Sequence, residues 1–140
     1  MPVTHPYPVW QHWANDTFFA ASEGQEGEFE SLPVQRITDT TGMICCIPCF
    51  LYRVALGDVV EVTGRIAGQV VQPGGRRVFR VLIDEDDYVA RLAIREMLEM
   101  ANGLSEWGSA RLLAIDAPTT RLAAQYENML ERLAGEGGLK

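Results

Sequence analysis

The hydrophobic repeat of this chain changes period at Asp84, and that switch restricts the possible folds more than any other feature. Upstream, short apolar runs of strand length sit between turn residues; downstream, apolar side chains recur three and four positions apart. Thr17, Phe18 and Phe19 lie in a first predicted strand, residues 16–22, which runs into the turn-like Glu-Gly-Gln-Glu-Gly. Residues 28–37 alternate Phe29, Leu32, Val34 and Ile37 with polar side chains and are interrupted by Pro33, the pattern of an edge strand or of two short ones. After the turn Asp39-Thr40-Thr41-Gly42, residues 43–50 form a compact apolar run of strand length. Gly57 and Asp58 bend the chain into a strand over residues 59–62, and residues 66–71 and 78–83 flank the hairpin signal Pro73-Gly74-Gly75. Connections this short cannot make parallel crossovers, so residues 16–83 are expected to form an antiparallel sheet or partial barrel.

Beyond the switch, Asp84-Glu85-Asp86-Asp87 precedes Val89, Leu92, Ala93, Met97, Met100 and Ala101, an apolar stripe behind carboxylates that suit a helix amino terminus. Gly103 is expected to end that helix. Residues 110–115 read as a short buried strand, and a second helix follows Asp116, with Leu122, Tyr126, Met129, Leu130 and Leu133 inward and Gly135 closing it. From Val78 onward the expected order is strand, helix, strand, helix, a β-α-β-α half-plait. The fold class is therefore α+β. Residues 1–15 form a proline and aromatic arm (Pro2, Pro6, Pro8, Tyr7, Trp10, Trp13) and residues 16–140 a single domain, long enough at 140 residues in all to build its own core. The arm's aromatics are costly to leave in water and are expected to pack on the domain or on a partner.

The chemistry-bearing residues form no recognisable catalytic motif. Cys45-Cys46-x-x-Cys49 invites a zinc reading with His5 or His12, but on a strand Cys45 and Cys49 face one side and Cys46 the other, and the second cysteine pair that would complete four ligands is missing. Buried, reduced thiols in a cytoplasmic protein are the expected state. His5 and His12 sit in the arm, a poor scaffold for a general base, and are expected as partner contacts or exposed groups. Asp84 to Asp87 lack the alternating ligands and the glycine bend of a calcium loop, so no metal is expected there. Arg76, Arg77 and Arg80 cluster by the hairpin and can meet a phosphate or carboxylate, or pair with the nearby acids. No phosphate-binding or nucleophile-elbow pattern is present, and no cofactor is expected.

Charge separates the function classes further. The net charge is -7, which disfavours nucleic acid and anionic membrane surfaces as partners. Residues 1–35 contain Asp16, Glu23, Glu26, Glu28 and Glu30 and no Lys or Arg, so most of the excess lies in the first quarter of the chain. This segment serves either as a solvated face or as an electrostatic footprint for a basic protein. The amino terminus, Met-Pro-Val-Thr-His-Pro, has neither a basic start nor an apolar core and reads as no signal peptide, and no apolar run approaches the roughly 20 residues of a membrane helix.

Ile47-Pro48-Cys49-Phe50, followed by Val54-Ala55-Leu56-Gly57-Asp58-Val59-Val60, resembles a bacterial group described only as a domain of unknown function, family 4265. Its members tend to show Ile-Pro-Phe-Phe, a short spacer and a hydrophobic-Leu-Gly-Asp-Val-Val run, then a hairpin, a strand matched by residues 78–83, and a helix, a strand and a helix. The likeness covers about residues 28–133. Cys49 stands where the group usually has Phe, which implies a core position for it. The resemblance implies the α+β fold and brings no activity, cofactor or catalytic residue. These readings lead us to expect a small acidic cytoplasmic binding protein and not an enzyme: an immunity-type inhibitor that binds and neutralises a basic toxin or effector protein. Asp16, Glu23, Glu26, Glu28 and Glu30 would steer such a partner, and Tyr7, Trp10 and Trp13 would anchor it. The alternative is a small-molecule-binding regulatory domain acting as a homodimer.

Overall fold

Period-two alternation closes the amino-terminal strands into a barrel. In the computed structural model, which describes residues 3–23 and 26–135, β1 (Asp16–Ala21), β2 (Phe29–Thr38), β3 (Thr41–Ile44), β4 (Val59–Thr63) and β5 (Ile66–Gln72) pair in chain order, each antiparallel to the next. A parallel pairing of Phe19 with Ile66 joins β1 to β5 and shuts the barrel. Phe18, Ala20, Leu32, Val34, Ile44, Val60 and Val62 point inward and form its core. Residues 28–37, expected at an edge, are instead a continuous strand with neighbours on both sides. Pro33 is tolerated there; its carbonyl accepts the Cys45 N–H at 2.9 Å. Gly24 and Gln25, part of the expected turn before β2, lie outside the described residues.

The carboxyl-terminal half is a three-stranded antiparallel sheet of β6 (Arg77–Leu82), β7 (Leu104–Trp107) and β8 (Leu112–Ala117), in the order β6-β8-β7, with α1 (Tyr88–Ala101) and α2 (Thr120–Gly135). The sequence pattern missed β7, whose four residues are too few to display a period. The sheet is shared between two cores. Val81, Ile83, Leu113, Ile115 and Ala117 pack under the helices against Ala90, Ile94, Ala123 and Tyr126. Leu112 and Ala114, on the other face, pack against Ile47, Cys49 and Leu56 of the barrel side. All six residues of β8 are buried because both its faces are covered.

The helix ends follow local chemistry. The Asp87 carboxylate caps α1 by accepting the Ala90 N–H at 3.0 Å, and Asp84 pairs with Arg111. The left-handed residue at the end of α1 is Asn102, with φ 51°, and not the expected Gly103. Gly103 is needed for space: a Cβ there would lie 2.5 Å from the Tyr126 hydroxyl of α2. No helix among the described residues is long and apolar enough to cross a membrane.

Gly42 makes the barrel core testable. A Cβ at this position would meet the buried Phe18 ring at 2.7 Å, so Gly42→Ala should destabilise the fold by about 1–3 kcal/mol through overpacking, measured as a lower urea midpoint at unchanged m-value.

Candidate functional site

After Ile44 the chain leaves β3 and forms a buried irregular loop, so only Met43 and Ile44 of the apolar run over residues 43–50 lie in the strand its composition predicts. Its backbone polar groups find side-chain partners in place of a ladder. Ile47 N–H donates to Glu106 Oε2 at 2.7 Å, Cys49 N–H to Glu30 Oε2 at 2.8 Å and Phe50 N–H to Glu30 Oε1 at 2.9 Å. From the other side Arg80, on β6, donates through Nε to the Cys49 carbonyl at 2.8 Å and through Nη2 to the Pro48 and Leu51 carbonyls at 3.0 and 2.7 Å. The guanidinium lies 5.0 Å from the Tyr52 ring.

His5 completes the arrangement. Val3 stitches the arm to β2, its N–H donating to Phe29 O and its carbonyl accepting from Ser31 N–H, both at 2.8 Å. That places His5 between two carboxylates, with Nε2 2.5 Å from Glu30 Oε2 and Nδ1 2.8 Å from Glu106 Oε1. Further along, Trp10 N–H donates to Cys45 O at 3.1 Å. An imidazolium and a guanidinium thus balance two carboxylates in a buried space. Burial works against charge on His5, but the Cys46 thiol and the Glu106 and Glu30 carboxylates override it and raise its pKa well above the ordinary histidine range.

This overturns the expectation that His5 is exposed or a partner contact: it is a buried cross-link between arm, barrel and sheet. The three cysteines are free and buried. Burial pushes the Cys49 thiol up to about 12 and the Cys46 thiol to about 11, which keeps both protonated and poor nucleophiles at neutral pH. His5, Glu30 and Cys49 bring ligand-type atoms within 4.8 Å of one another, a mixed N/O/S set of the kind that can hold zinc. Here, however, the Glu30 oxygens already take His5 and two backbone N–H groups. Metal binding would have to break these bonds and deprotonate Cys49, so the arrangement suits a structural lock better than a metal centre. The alternation of cysteine side chains along a strand does not apply, because the segment is a loop.

The other residues singled out from the sequence are dispersed. Glu30 is fully buried and belongs to the lock, so it cannot be part of a surface footprint. Asp16 pairs with Arg36 and Arg65 at 2.8 and 2.9 Å. Glu23 accepts the Tyr52 N–H. Trp10 is half-buried, its ring near the Arg76 guanidinium at 5.0 Å and against Gly57, with Trp13 5.2 Å away. Tyr7, Trp13 and Glu26 remain exposed, and Glu28 is half-buried. Arg76 and Arg80 do not pair with residues 84–87: Arg76 meets Asp116 at 2.5 Å, and Arg80 holds the loop carbonyls. Glu106 was missed because it sits in β7; Arg80 was singled out, but its role in the loop was hidden because its backbone partners lie about 30 positions away.

A more continuous surface lies at the start of α1. Tyr88, Val89 and Leu92 are 76%, 79% and 55% exposed on its first two turns, behind the exposed Glu85 and Asp86 and with exposed Glu96 one turn past Leu92. The two arginines of this helix are engaged elsewhere. Arg91 donates to the carbonyls of Ile83, Asp84 and Ala110, and Arg95 pairs with Glu99.

The model of the family described as Domain of unknown function (DUF4265) matches residues 30–140, and the chain belongs to that family. Among solved structures it is similar to a hypothetical protein from Neisseria gonorrhoeae, with a TM-score of 0.69 and 18% identity over 89% of this chain and 90% of that one. That likeness shows the shared fold. No curated protein matches the chain.

The raised pKa of His5 makes stability depend on pH. With the folded value above the unfolded value of 6.5, the lock's contribution is complete below about pH 6.5 and declines as pH rises towards the folded pKa. Relative to His5→Gln, the wild type should lose up to about 1.4 kcal/mol of unfolding free energy per pH unit above that point, measured by urea titration between pH 6 and 9. Glu30→Ala, which strips two loop N–H groups and His5 of their partner, should cost about 3–5 kcal/mol or abolish folding.

Proposed function

We propose that the chain is a cytoplasmic protein that acts by binding and not by catalysis, seating a basic protein partner as an immunity protein seats the toxin it neutralises. The observation that carries this reading is the start of α1: an exposed tyrosine and two aliphatic side chains bordered by Glu85, Asp86 and Glu96. An apolar centre rimmed by carboxylates supports recognition of a partner with a complementary basic rim, in which the apolar group holds and the acids steer. The net charge of -7 favours such a partner over an acidic one. The His, Glu and Cys residues that resemble catalytic groups are buried and hold the loop and arm, which leaves recognition to the surface. This moves the recognition surface from the amino-terminal acids to α1, with Tyr7, Trp13 and Glu26 still available as neighbouring surface groups.

The test compares the wild type with a Tyr88→Ser/Leu92→Ser double variant, whose substituted side chains are exposed and leave both cores intact. Immobilised protein is used to capture partners from the source organism's lysate at low and at high salt. The expected result is one basic protein retained in stoichiometric amount by the wild type at low salt. Its affinity should fall by about 2 kcal/mol or more in the variant, and its association should slow at high salt. Equal retention by both proteins would remove α1 from the interface. Coexpression of the captured protein with and without this chain then checks neutralisation directly.

A further inference from the structure

The bend Leu56-Gly57-Asp58 does more than start a strand. Gly57 takes φ +85°, and the buried Asp58 carboxylate accepts the Ala55 N–H at 2.9 Å and the Gly74 N–H at 2.7 Å. β5 ends in the barrel and β6 begins the second sheet, so Pro73-Gly74-Gly75 is a crossing between sheets and not the expected hairpin. The Asp58 bonds pin this connection onto the bend so closely that a Cβ on Gly74 would sit 2.8 Å from the Gly57 carbonyl oxygen. The pinning sets Arg76 beside the Trp10 ring, and the loop clamp sets Arg80 beside Tyr52. Between them lies a cavity of about 330 Å³ bordered by Tyr52, Arg53, Asp58, Arg76, Arg77 and Arg80.

Four of the chain's eleven arginines therefore converge on one small hollow of an otherwise acidic protein. Two are held in place before any ligand arrives. Arg76 is fixed through Nη1 by Asp116, and Arg80 through Nε and Nη2 by three carbonyls, which leaves the remaining N–H groups of each guanidinium without a hydrogen-bond partner among the described residues. Arg77 sits at the rim, over the Phe79 ring at 5.0 Å. Arg53 is exposed and has no ion-pair partner among the described residues. The Arg80 charge is already balanced within the lock, and Asp58 in the lining and Asp116 behind Arg76 oppose the other three, so an excess of one positive charge remains. Glu23 and Glu30 act on Arg80 from outside the lining.

We propose that this hollow is a binding site for the phosphate group of a small molecule. Guanidinium forks match phosphate oxygens in pairs, and several of them supply more donors than a single carboxylate can accept. The cavity has room for a phosphate and one small ring, and the exposed Tyr52 at its edge offers a face for that ring. A nucleic-acid strand is a poor occupant, because its flanking phosphates would meet a surface of net negative charge. The site lies apart from the α1 surface and stands or falls independently of it.

The test is calorimetric titration of the full chain with inorganic phosphate, phenyl phosphate and acetate against a chloride background of matched ionic strength. Arg53→Gln is the variant, since Arg53 is exposed and plays no part in the loop clamp. Saturable binding of inorganic phosphate is expected, tighter binding of phenyl phosphate, and acetate weaker by at least tenfold. Arg53→Gln should weaken phosphate tenfold or more while its melting temperature without ligand stays at the wild-type value. Tighter phenyl phosphate than phosphate would assign the ligand as a phosphorylated ring compound, and equal affinities would assign free phosphate; both support the site. No saturable phosphate binding by the wild type, equal binding of acetate, or unchanged affinity in a correctly folded Arg53→Gln protein would overturn it.

Discussion

A buried loop with no ladder of its own must have its backbone groups satisfied by side chains, and the rest of this structure is arranged around that demand. The loop after Ile44 receives its acceptors from Glu30 on β2 and Glu106 on β7, and its donors from Arg80 on β6. These three residues belong to the barrel and to the second sheet, so satisfying the loop also joins the two. Two buried carboxylates and one guanidinium would leave an uncompensated negative charge. His5 supplies the missing cation, and the arm is thereby drawn into the fold.

The same clamp explains why the chain can present rigid surface features. Residues 51–55 emerge from a loop whose carbonyls are held by Arg80, and the connection before β6 is held by Asp58. Guanidinium groups along this seam are therefore oriented by the scaffold before they meet anything in solution, which reduces the ordering cost of binding an anion. On the far side of the sheet, α1 buries Ala90 and Ile94 and leaves Tyr88, Val89 and Leu92 to water. The arginine hollow and the apolar helix face lie on different elements and differ in chemistry, one lined by guanidinium groups and the other by apolar side chains.

Two motif stretches acquire a physical meaning in this frame. Ile47-Pro48-Cys49-Phe50 is the part of the loop whose N–H and C=O groups are taken by Glu30, Glu106 and Arg80. Leu56-Gly57-Asp58 puts Leu56 into the core between barrel and sheet, gives the turn its positive φ at Gly57 and provides the carboxylate that ties down the β5–β6 connection. In this chain the two stretches together form a backbone-satisfaction device. Cys49 is consistent with this: its side chain fills core space, while its N–H and carbonyl serve the clamp.

What could be read from the sequence was what depends on near neighbours along the chain. Strand alternation, the acidic cap of α1 and the inner face of α2 follow from spacings of two, three and four residues, and they determined the α+β class. Pro73-Gly74-Gly75 looked like a hairpin but joins strands of different sheets, and the expected stripe of α1 leaves Val89, Leu92 and Met100 exposed while Ala90 and Ile94 are buried. Four-residue β7 was too short to register, and residues 43–50 looked like a strand because composition cannot report where N–H groups will go. The lock was hidden because His5 meets Glu30 and Glu106 across 25 and 101 positions. Glu30 looked like one more acid on a charged face, since nothing local distinguishes a solvated carboxylate from one that caps a distant loop. By itself the sequence determined both helices, most of the strands, their order and the net charge. Only the tertiary structure decided which charges are buried and paired and which still face water, because that depends on distances folding creates between residues far apart in the chain.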